Sequence, residues 1–341
     1  MRPNVITRDL RQSIARAVAA AGFERPAEPG LRPTGIPGQY AASVALALGA
    51  DPRQTAAVLA ATLREERWIA KTDVTGPGYL TVTVTPEALA AVADTVTAEG
   101  PACVTSDALA RVTVPAAPPG DPLAAPTWEK ARTALAARLT VSLAAAAGAT
   151  VADPPATERK RPTLPAHPSS LDASPPPARA VSFAGRDAVT FTLARAVPGK
   201  PLRLDEEIMA RRLPANPAYA VRYAHARAAS GVRWAATSAG EKTSSPSIEG
   251  SSPRETLLDA LSWLPERVAT AARRARPDEF ARYLEDLASV TVDVLSSASH
   301  PGSGPVRNGA PGSDKLGLAS AARTGLAAGL GLLGVGAPER L

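Results

Sequence analysis

Asn216-Pro217-Ala218-Tyr219-Ala220-Val221-Arg222-Tyr223-Ala224-His225-Ala226-Arg227 reads as the opening of a helix with two unlike faces. At about 100° per residue, Ala220, Val221, Ala224, Ala228 and Val232 gather on one side. Tyr219, Arg222, Tyr223, Arg227 and Arg233 spread over the other. A tyrosine ring can stack on an unpaired base, and a guanidinium can hold a phosphate or stack through its plane. From Ile208 to Gly240 there are five arginines, Arg211, Arg212, Arg222, Arg227 and Arg233, and no Asp or Glu. Such a local excess of positive charge suits an anionic polymer. The plainer alternative stays open: the tyrosines pack against neighbouring helices and the arginines are solvated. His225, at the edge of the apolar face, reads as a hydrogen-bonded packing residue.

Outward from this stretch the pattern stays helical. Arg186 to Ala196, Leu204 to Arg212, Arg254 to Arg274, Pro277 to Ser297 and Leu316 to Leu333 all suit amphipathic helices, so residues 181–341 are expected to form an all-α bundle. Thr237 to Pro253 and Ser297 to Asp314 read as exposed loops. Trp234 and Trp263 are expected in the core, while Arg282 and Tyr283 are weaker candidates for the basic face. Asp205, Glu206 and Glu207 read as acids at a helix start, where the macrodipole favours them. Upstream, residues 101–180 carry one Ala-rich helix, Thr127 to Ala147, and a Pro-rich linker, Pro154 to Pro177, with a basic run at Arg159-Lys160-Arg161.

Residues 1–100 read as an α+β domain, an antiparallel sheet with helices on one face. Ile6, Leu10, Ile14 and Val18 share one side of a helix ending near Gly22. A second helix starts at Asp51 and Pro52, with Gln54 at the capping-box position and Val58, Leu59 and Leu63 inward. From Tyr79 to Thr85 apolar Leu80, Val82 and Val84 alternate with Tyr79, Thr81, Thr83 and Thr85, the pattern of a half-buried strand. Thr85 and Pro86 then open a helix with Leu89, Val92, Ala93 and Val96 inward.

Composition narrows the function classes. Of 341 residues 45% are hydrophobic but only 4% aromatic, which favours small helical cores rich in alanine. The 34 prolines and 25 glycines are clustered, as linkers between folded parts would require. One cysteine, Cys103, excludes an internal disulfide and a Cys-based zinc site. No metal and no cofactor are implied. Charges at Arg8, Asp9, Arg11 and Arg16 interrupt any signal-peptide core, and the apolar run from Val141 to Ala152 is too short to span a bilayer. A cytoplasmic protein without membrane association is expected. The formal charge of +6 is compatible with an anionic partner without selecting one.

Residues 216–227 resemble the NPxYxVxYAHAR signature that opens the anticodon-binding domain of arginyl-tRNA synthetases. Arg186-Asp187-Ala188-Val189, with Pro201-Leu202 and Leu204-Asp205, resembles the DALR-type approach to that domain. Tyr283-Leu284 with Leu287-Ala288 resembles its YLxxLA helix, and Leu332-Leu333-Gly334-Val335 with Ala337-Pro338-Glu339-Arg340-Leu341 its terminal motif. In the first hundred residues, Gly38-Gln39-Tyr40-Ala41-Ala42-Ser43-Val44-Ala45 and Val74-Thr75-Gly76-Pro77-Gly78-Tyr79-Leu80 are similar to the GDYATNVA and VxGPGF motifs of the family's N-terminal additional domain. Gln39 and Ser43 depart from the usual Asp and Asn. Thr291, Val292, Val294 and Leu295 stand where the family carries an aromatic series.

The resemblance implies contacts with the tRNA corner through Tyr79 and Thr81, and with the anticodon region through Tyr219, Arg222, Tyr223, Arg227 and Arg233. It implies no catalysis. A class I synthetase site needs an HxGH-type motif and a KMSKS-type lysine loop to stabilise charge developing on ATP. The histidines are His167, His225 and His300, none with that spacing, and no lysine lies in such a loop. The expected partner is a tRNA, an arginine-accepting one first. The alternative is a module that binds a protein, such as a true synthetase.

Overall fold

The computed structural model describes residues 5–23, 28–49, 51–153, 176–202, 204–237, 252–297 and 311–341. The elements run α1 (Ile6–Ala20), β1 (Arg32–Pro33), β2 (Gln39–Ala42), α2 (Ala45–Leu48), α3 (Pro52–Leu63), β3 (Ile69–Thr75), β4 (Tyr79–Val84), α4 (Pro86–Ala90), α5 (Val92–Glu99), β5 (Thr113–Pro115) and α6 (Trp128–Ala146). After β6 (Thr150–Ala152) come α7 (Pro176–Ala184), α8 (Arg186–Ala194), α9 (Glu206–Ala210), α10 (Pro217–Thr237), α11 (Pro253–Ser262), α12 (Leu264–Arg273), α13 (Pro277–Ser297) and α14 (Pro311–Leu332). The fold class is as expected, a small antiparallel sheet with helices followed by a mostly helical region.

The residues divide into two units. One contains Met1–Cys103, Arg227–Glu266 and Val290–Gly325; the other contains Val104–Ala226, Arg267–Ser289 and Leu326–Leu341.

In the first unit an antiparallel sheet has the order β1-β2-β4-β3, with Tyr40 opposite Val82 and Ala41 opposite Thr81. Leu80, Val82, Tyr40 and Ala42 point to one side and are buried, and α3 packs there through Leu59 and Leu63. Burying each of these leucines and the valine contributes about 1.5 to 3 kcal/mol. Asp51 caps α3 by accepting from the Gln54 amide at 3.0 Å. Ile6, Leu10, Ile14 and Val18 of α1 are buried as their spacing requires. Val58 is not; it is 46% exposed, because Thr55, Ala56, Leu59, Ala60 and Leu63 fill the inward stripe instead.

Residues 252–266 also belong to this unit: Leu257, Leu258 and Leu261 are buried, α11 packs on α4 and α5, and polar contacts add to the packing. Gly38 N donates to Asp259 Oδ1 at 3.0 Å, Tyr40 Oη and Ser262 Oγ lie 2.8 Å apart, and Thr7 Oγ1 donates to the Ser262 carbonyl at 2.6 Å. Trp263 is buried with its ring 5.3 Å from that of Tyr40. Arg11 bridges Glu28 and Glu266, each at 2.6 Å. Burial alone would lower the Arg11 guanidinium, but the two carboxylates hold it above its ordinary value. The helix expected over Arg254 to Arg274 is two helices, broken at Trp263, with Pro265 in the first turn of the second, where a missing N–H costs nothing.

In the second unit β5 and β6 pair in parallel, Thr113 opposite Thr150, with α6 between them in sequence. This is a βαβ unit. It adds two short strands to the expected helix; strands of three residues are too short to display a period. Thr127 caps α6, whose buried Ala131, Leu135, Leu139 and Leu143 recur every four residues and face α8. Gly148, at φ 93°, turns the chain where a Cβ would lie 2.8 Å from the Ser106 carbonyl oxygen. α7, absent from the sequence reading, packs on α8 and α9. Pro154 to Pro177 falls outside the described residues up to position 175, including Arg159, Lys160 and Arg161, as do most of the two expected loops.

Candidate nucleic-acid interface

α10 begins where it does because Asn216 is an N-cap held from both sides. Its Oδ1 accepts from the amides of Ala218 at 3.1 Å and Tyr219 at 3.4 Å, satisfying donors left free at a helix start. Its Nδ2 donates to the carbonyls of Met209 at 2.8 Å and Arg211 at 3.0 Å, which fixes the chain leaving α9. Pro217 supplies a preset φ at the first helical position. At α9 itself, Asp205 caps by accepting from the Ile208 amide at 2.9 Å.

Asp187, at the start of α8, is a junction that the sequence did not reveal. Its Oδ2 lies 3.3 Å from Arg222 Nη2 of α10, and its Oδ1 accepts from the Gly336 amide at 3.2 Å. Gly336 fits because a Cβ there would stand 3.0 Å from Asp187 Oδ2. Next along the same tail, the Pro338 carbonyl meets His225 Nδ1 at 3.0 Å, and His225 is 3% exposed. Three motifs far apart in sequence therefore meet through side-chain to backbone bonds. His225 is the packing residue that its position on the helix suggested.

This knot changes the outward face of α10. Val221, Ala224 and Ala228 are buried as expected, but so are Ala218, His225, Ala226 and Ala229. Arg222 is half-buried, its charge offset by Asp187, with Nε lacking a partner. Arg227 is also half-buried and donates from Nη2 to Ser296 Oγ at 3.2 Å. Arg211 pairs with Glu207 at 3.1 Å. The arginine run is thus less basic in space than in sequence, since Glu207, just before the counted window, and Asp187, far upstream of it, each pair with one of its arginines. Tyr219 and Tyr223 stack on each other, ring centroids 5.9 Å apart and planes 20° apart, and Tyr223 is 37% exposed. Arg233 is half-buried, and Trp234, expected in the core, is 72% exposed.

Tyr79 and Thr81 lie elsewhere, on the open side of the sheet in the first unit. Across that side Thr81 faces Ala41 and Asp73, and Thr83 faces Gln39 and Lys71. Lys71 and Asp73 pair at 2.9 Å. Tyr79 follows a tight turn in which Gly78, at φ 134°, brings its backbone against Pro52, where a Cβ would sit 2.7 Å from the proline ring. The candidates thus fall into two sets by unit: Tyr219, Arg222 and Tyr223 in the second, Tyr79, Thr81, Arg227 and Arg233 in the first. Tyr283 sits against Phe280 and under the Arg267 guanidinium, 5.3 Å from the ring centroid.

Other chemistry finds little support. Cys103 is buried, and burial pushes its thiol up to about 12, so it is a poor nucleophile. Among the described residues no group of His, Cys, Asp and Glu could hold a metal ion, and no helix is long and apolar enough to cross a membrane.

Residues 221–341 match the family described as the DALR anticodon binding domain. The C-terminal part of the chain carries such a domain. The match takes in Arg222, Tyr223, Arg227 and Arg233 of the DALR-type segment and begins just after Tyr219. Over its C-terminal half the chain is also related to arginine–tRNA ligases. It is 37% identical to that of Frankia alni over 165 residues, covering 47% of this chain and 30% of the relative. It is 35% identical to that of Paenarthrobacter aurescens over 164 residues, again 47% and 30%. The chain thus matches about a third of the length of these curated relatives. The arginyl-tRNA synthetase of Thermus thermophilus aligns in structure with 99% of this chain and 59% of its own, at 18% identity and a TM-score of 0.37.

Proposed function

We propose that this chain binds tRNA in the cytoplasm and does not aminoacylate it. The reading rests above all on α10, which runs into the matched residues and carries a stacked tyrosine pair with Tyr223 open to solvent. A pre-stacked aromatic platform can accept an unpaired base of an anticodon loop without first ordering the rings. Tyr219 and Tyr223 supply stacking in the second unit, with Arg222, paired to Asp187, on the same helix, and Arg227 and Arg233, in the first unit, are further cationic contacts in this reading. Tyr79 and Thr81 take the tRNA corner in the same reading, with an arginine-accepting tRNA as the expected ligand.

Absence of aminoacylation is supported by the histidines and by the middle of the chain. His225 is buried against a backbone carbonyl, and neither His167 nor His300 has HxGH spacing. The segment joining the two family-like ends holds a βαβ unit with strands of three residues. A nucleotide-binding α/β domain must instead bury a broad parallel sheet on both faces. Fluorescence anisotropy with arginine-accepting and total tRNA at low salt tests binding, and arginine-dependent pyrophosphate exchange tests catalysis. Saturable binding without exchange is expected; exchange above background would overturn the second half.

One observation favours the protein-binding alternative. In the second unit Phe183 is 61%, Leu213 49% and Ile208 39% exposed, an amount of bare apolar surface that a protein partner, such as a true synthetase, would cover. A stoichiometric complex with that synthetase surviving ribonuclease treatment would favour this reading over the first.

A further inference from the structure

A cleft of about 420 Å³ opens in the second unit beside α6, α8 and α13, and neither Tyr219, Arg222 nor Tyr223 lines it. Four cations line it: Arg132, Arg195, Lys200 and Arg282. The volume falls within the range of roughly 300 to 1,000 Å³ usual for small-molecule sites.

The cations are held by specific bonds. Arg132 Nη1 donates to the Lys200 carbonyl at 2.7 Å, and its Nη2 pairs with Glu129 at 2.6 Å. Arg195 forms a two-pronged pair with Glu285 at 2.6 and 3.1 Å. Arg282 Nη2 donates to the Arg195 carbonyl at 3.3 Å. Backbone carbonyls of the segment after α8 thus draw two guanidiniums onto the stretch that carries the other two cations. Bringing like charges together is unfavourable, and Glu129 and Glu285 offset only two of the four. Arg282 and Lys200 have no carboxylate partner among the described residues. The remainder is a double positive charge beside an apolar wall that includes Val197 and Leu202.

A phosphate monoester, carrying about −1.5 to −2 at neutral pH, matches that charge better than a single carboxylate does. Arginine suits it further because its planar fork can bind two phosphate oxygens. We propose that this cleft binds a nucleotide by its phosphate, with Arg282 and Lys200 gripping the phosphate and the apolar wall taking the ribose or base. A free mononucleotide and a nucleotide within an RNA strand share this chemistry. The proposal stands without the tRNA reading, because a mononucleotide alone would satisfy the site.

The test uses the full chain with 5′-AMP, adenosine and tRNA as probes, and compares it with the Lys200→Ala, Arg282→Ala double variant. Both side chains are exposed, so folding should survive. If mononucleotides are the ligand, AMP binds at least tenfold tighter than adenosine, and the variant loses at least tenfold in AMP affinity. If the phosphate belongs to a strand, AMP is weak, the variant loses at least tenfold in tRNA affinity, and the salt slope drops by about one to two. Hydrogen exchange on the unaltered chain gives a readout independent of the variant: protection of residues 195–202 by AMP or tRNA is expected. AMP binding no better than adenosine, with unchanged tRNA affinity in the variant and no protection at 195–202, overturns the cleft and leaves the tRNA reading intact. AMP preferred over adenosine by a chain that binds no tRNA supports the cleft while removing the tRNA reading.

Discussion

The open side of β4 and the outward side of α10 are built on opposite principles. On β4, Tyr79, Thr81 and Thr83 stand half-exposed because alternate residues are buried beneath them, and Thr83 accepts a 3.4 Å bond from Gln39 Nε2. On α10, Arg222 and Arg227 reach sideways to Asp187 and Ser296, while the tail from Gly336 to Pro338 is tied to Asp187 and His225. A strand in a sheet covered on one side has only two faces, so period alone decides exposure. A helix has a whole circumference, and neighbours can claim any arc of it. On the first surface exposure thus follows from the strand period, whereas on the second Arg222 and Arg227 are engaged sideways while Tyr223 stays open.

The contrast can be broken most severely at Gly78. Replacing it by Ala puts a Cβ into the Pro52 backbone at a φ that L-residues avoid, and should cost about 3 kcal/mol or more by urea unfolding. A near-neutral Gly78→Ala would mean that the turn does not fix the strand face. Next in size, Asp187→Ala leaves the half-buried Arg222 charge without its counter-ion and frees the Gly336 amide, for an expected loss of about 2 kcal/mol. A double-mutant cycle with Arg222→Ala should give a coupling of about 1 kcal/mol; additivity would return Arg222 to the surface as a free cation.

Tyr223→Ala should act the other way round, weakening tRNA binding by about 1 to 2 kcal/mol, roughly five- to thirtyfold, while stability changes little. Equal losses of stability and affinity would make Tyr223 a packing residue. The smallest effect concerns acid. The Arg186 guanidinium, bonded to both Asp121 oxygens at 2.6 and 3.0 Å, holds that carboxyl below its ordinary range. Stability from this pair is fully present above the unfolded value of about 3.9 and is lost as pH falls through the lower folded one. Both groups are substantially exposed, so the loss should stay under about 1 kcal/mol. A carboxyl-carbon NMR titration of Asp121 in the intact chain and in Arg186→Ala measures it, with the titration moving up in the variant.

Much of this architecture was legible where a period met a clear boundary. Ile6, Leu10, Ile14 and Val18 marked α1, and Leu80, Val82 and Val84 marked β4 with its open side. The βαβ unit escaped because Thr113–Pro115 and Thr150–Ala152 are shorter than any detectable alternation. Residues 252–266 follow α10 in sequence, but α11 packs on α4 and α5, and Asp259 and Ser262 bond to Gly38, Tyr40 and Thr7, long-range contacts that no local period encodes. Trp234 shows the reverse error, a large aromatic at helical spacing that stays 72% exposed. At the candidate site, Tyr219 and Tyr223 were readable from their spacing, but Asp187 lies too far away in sequence to reveal that it neutralises Arg222.

Photocrosslinking of tRNA to the full chain, followed by identification of the linked amino acids and nucleotides, tests the central claim most directly. Links from anticodon-loop nucleotides to Tyr223 or Tyr219, diminishing as salt is raised, are the predicted result. Saturable tRNA binding whose crosslinks spare α10 entirely, or no crosslinking at low salt, would contradict it.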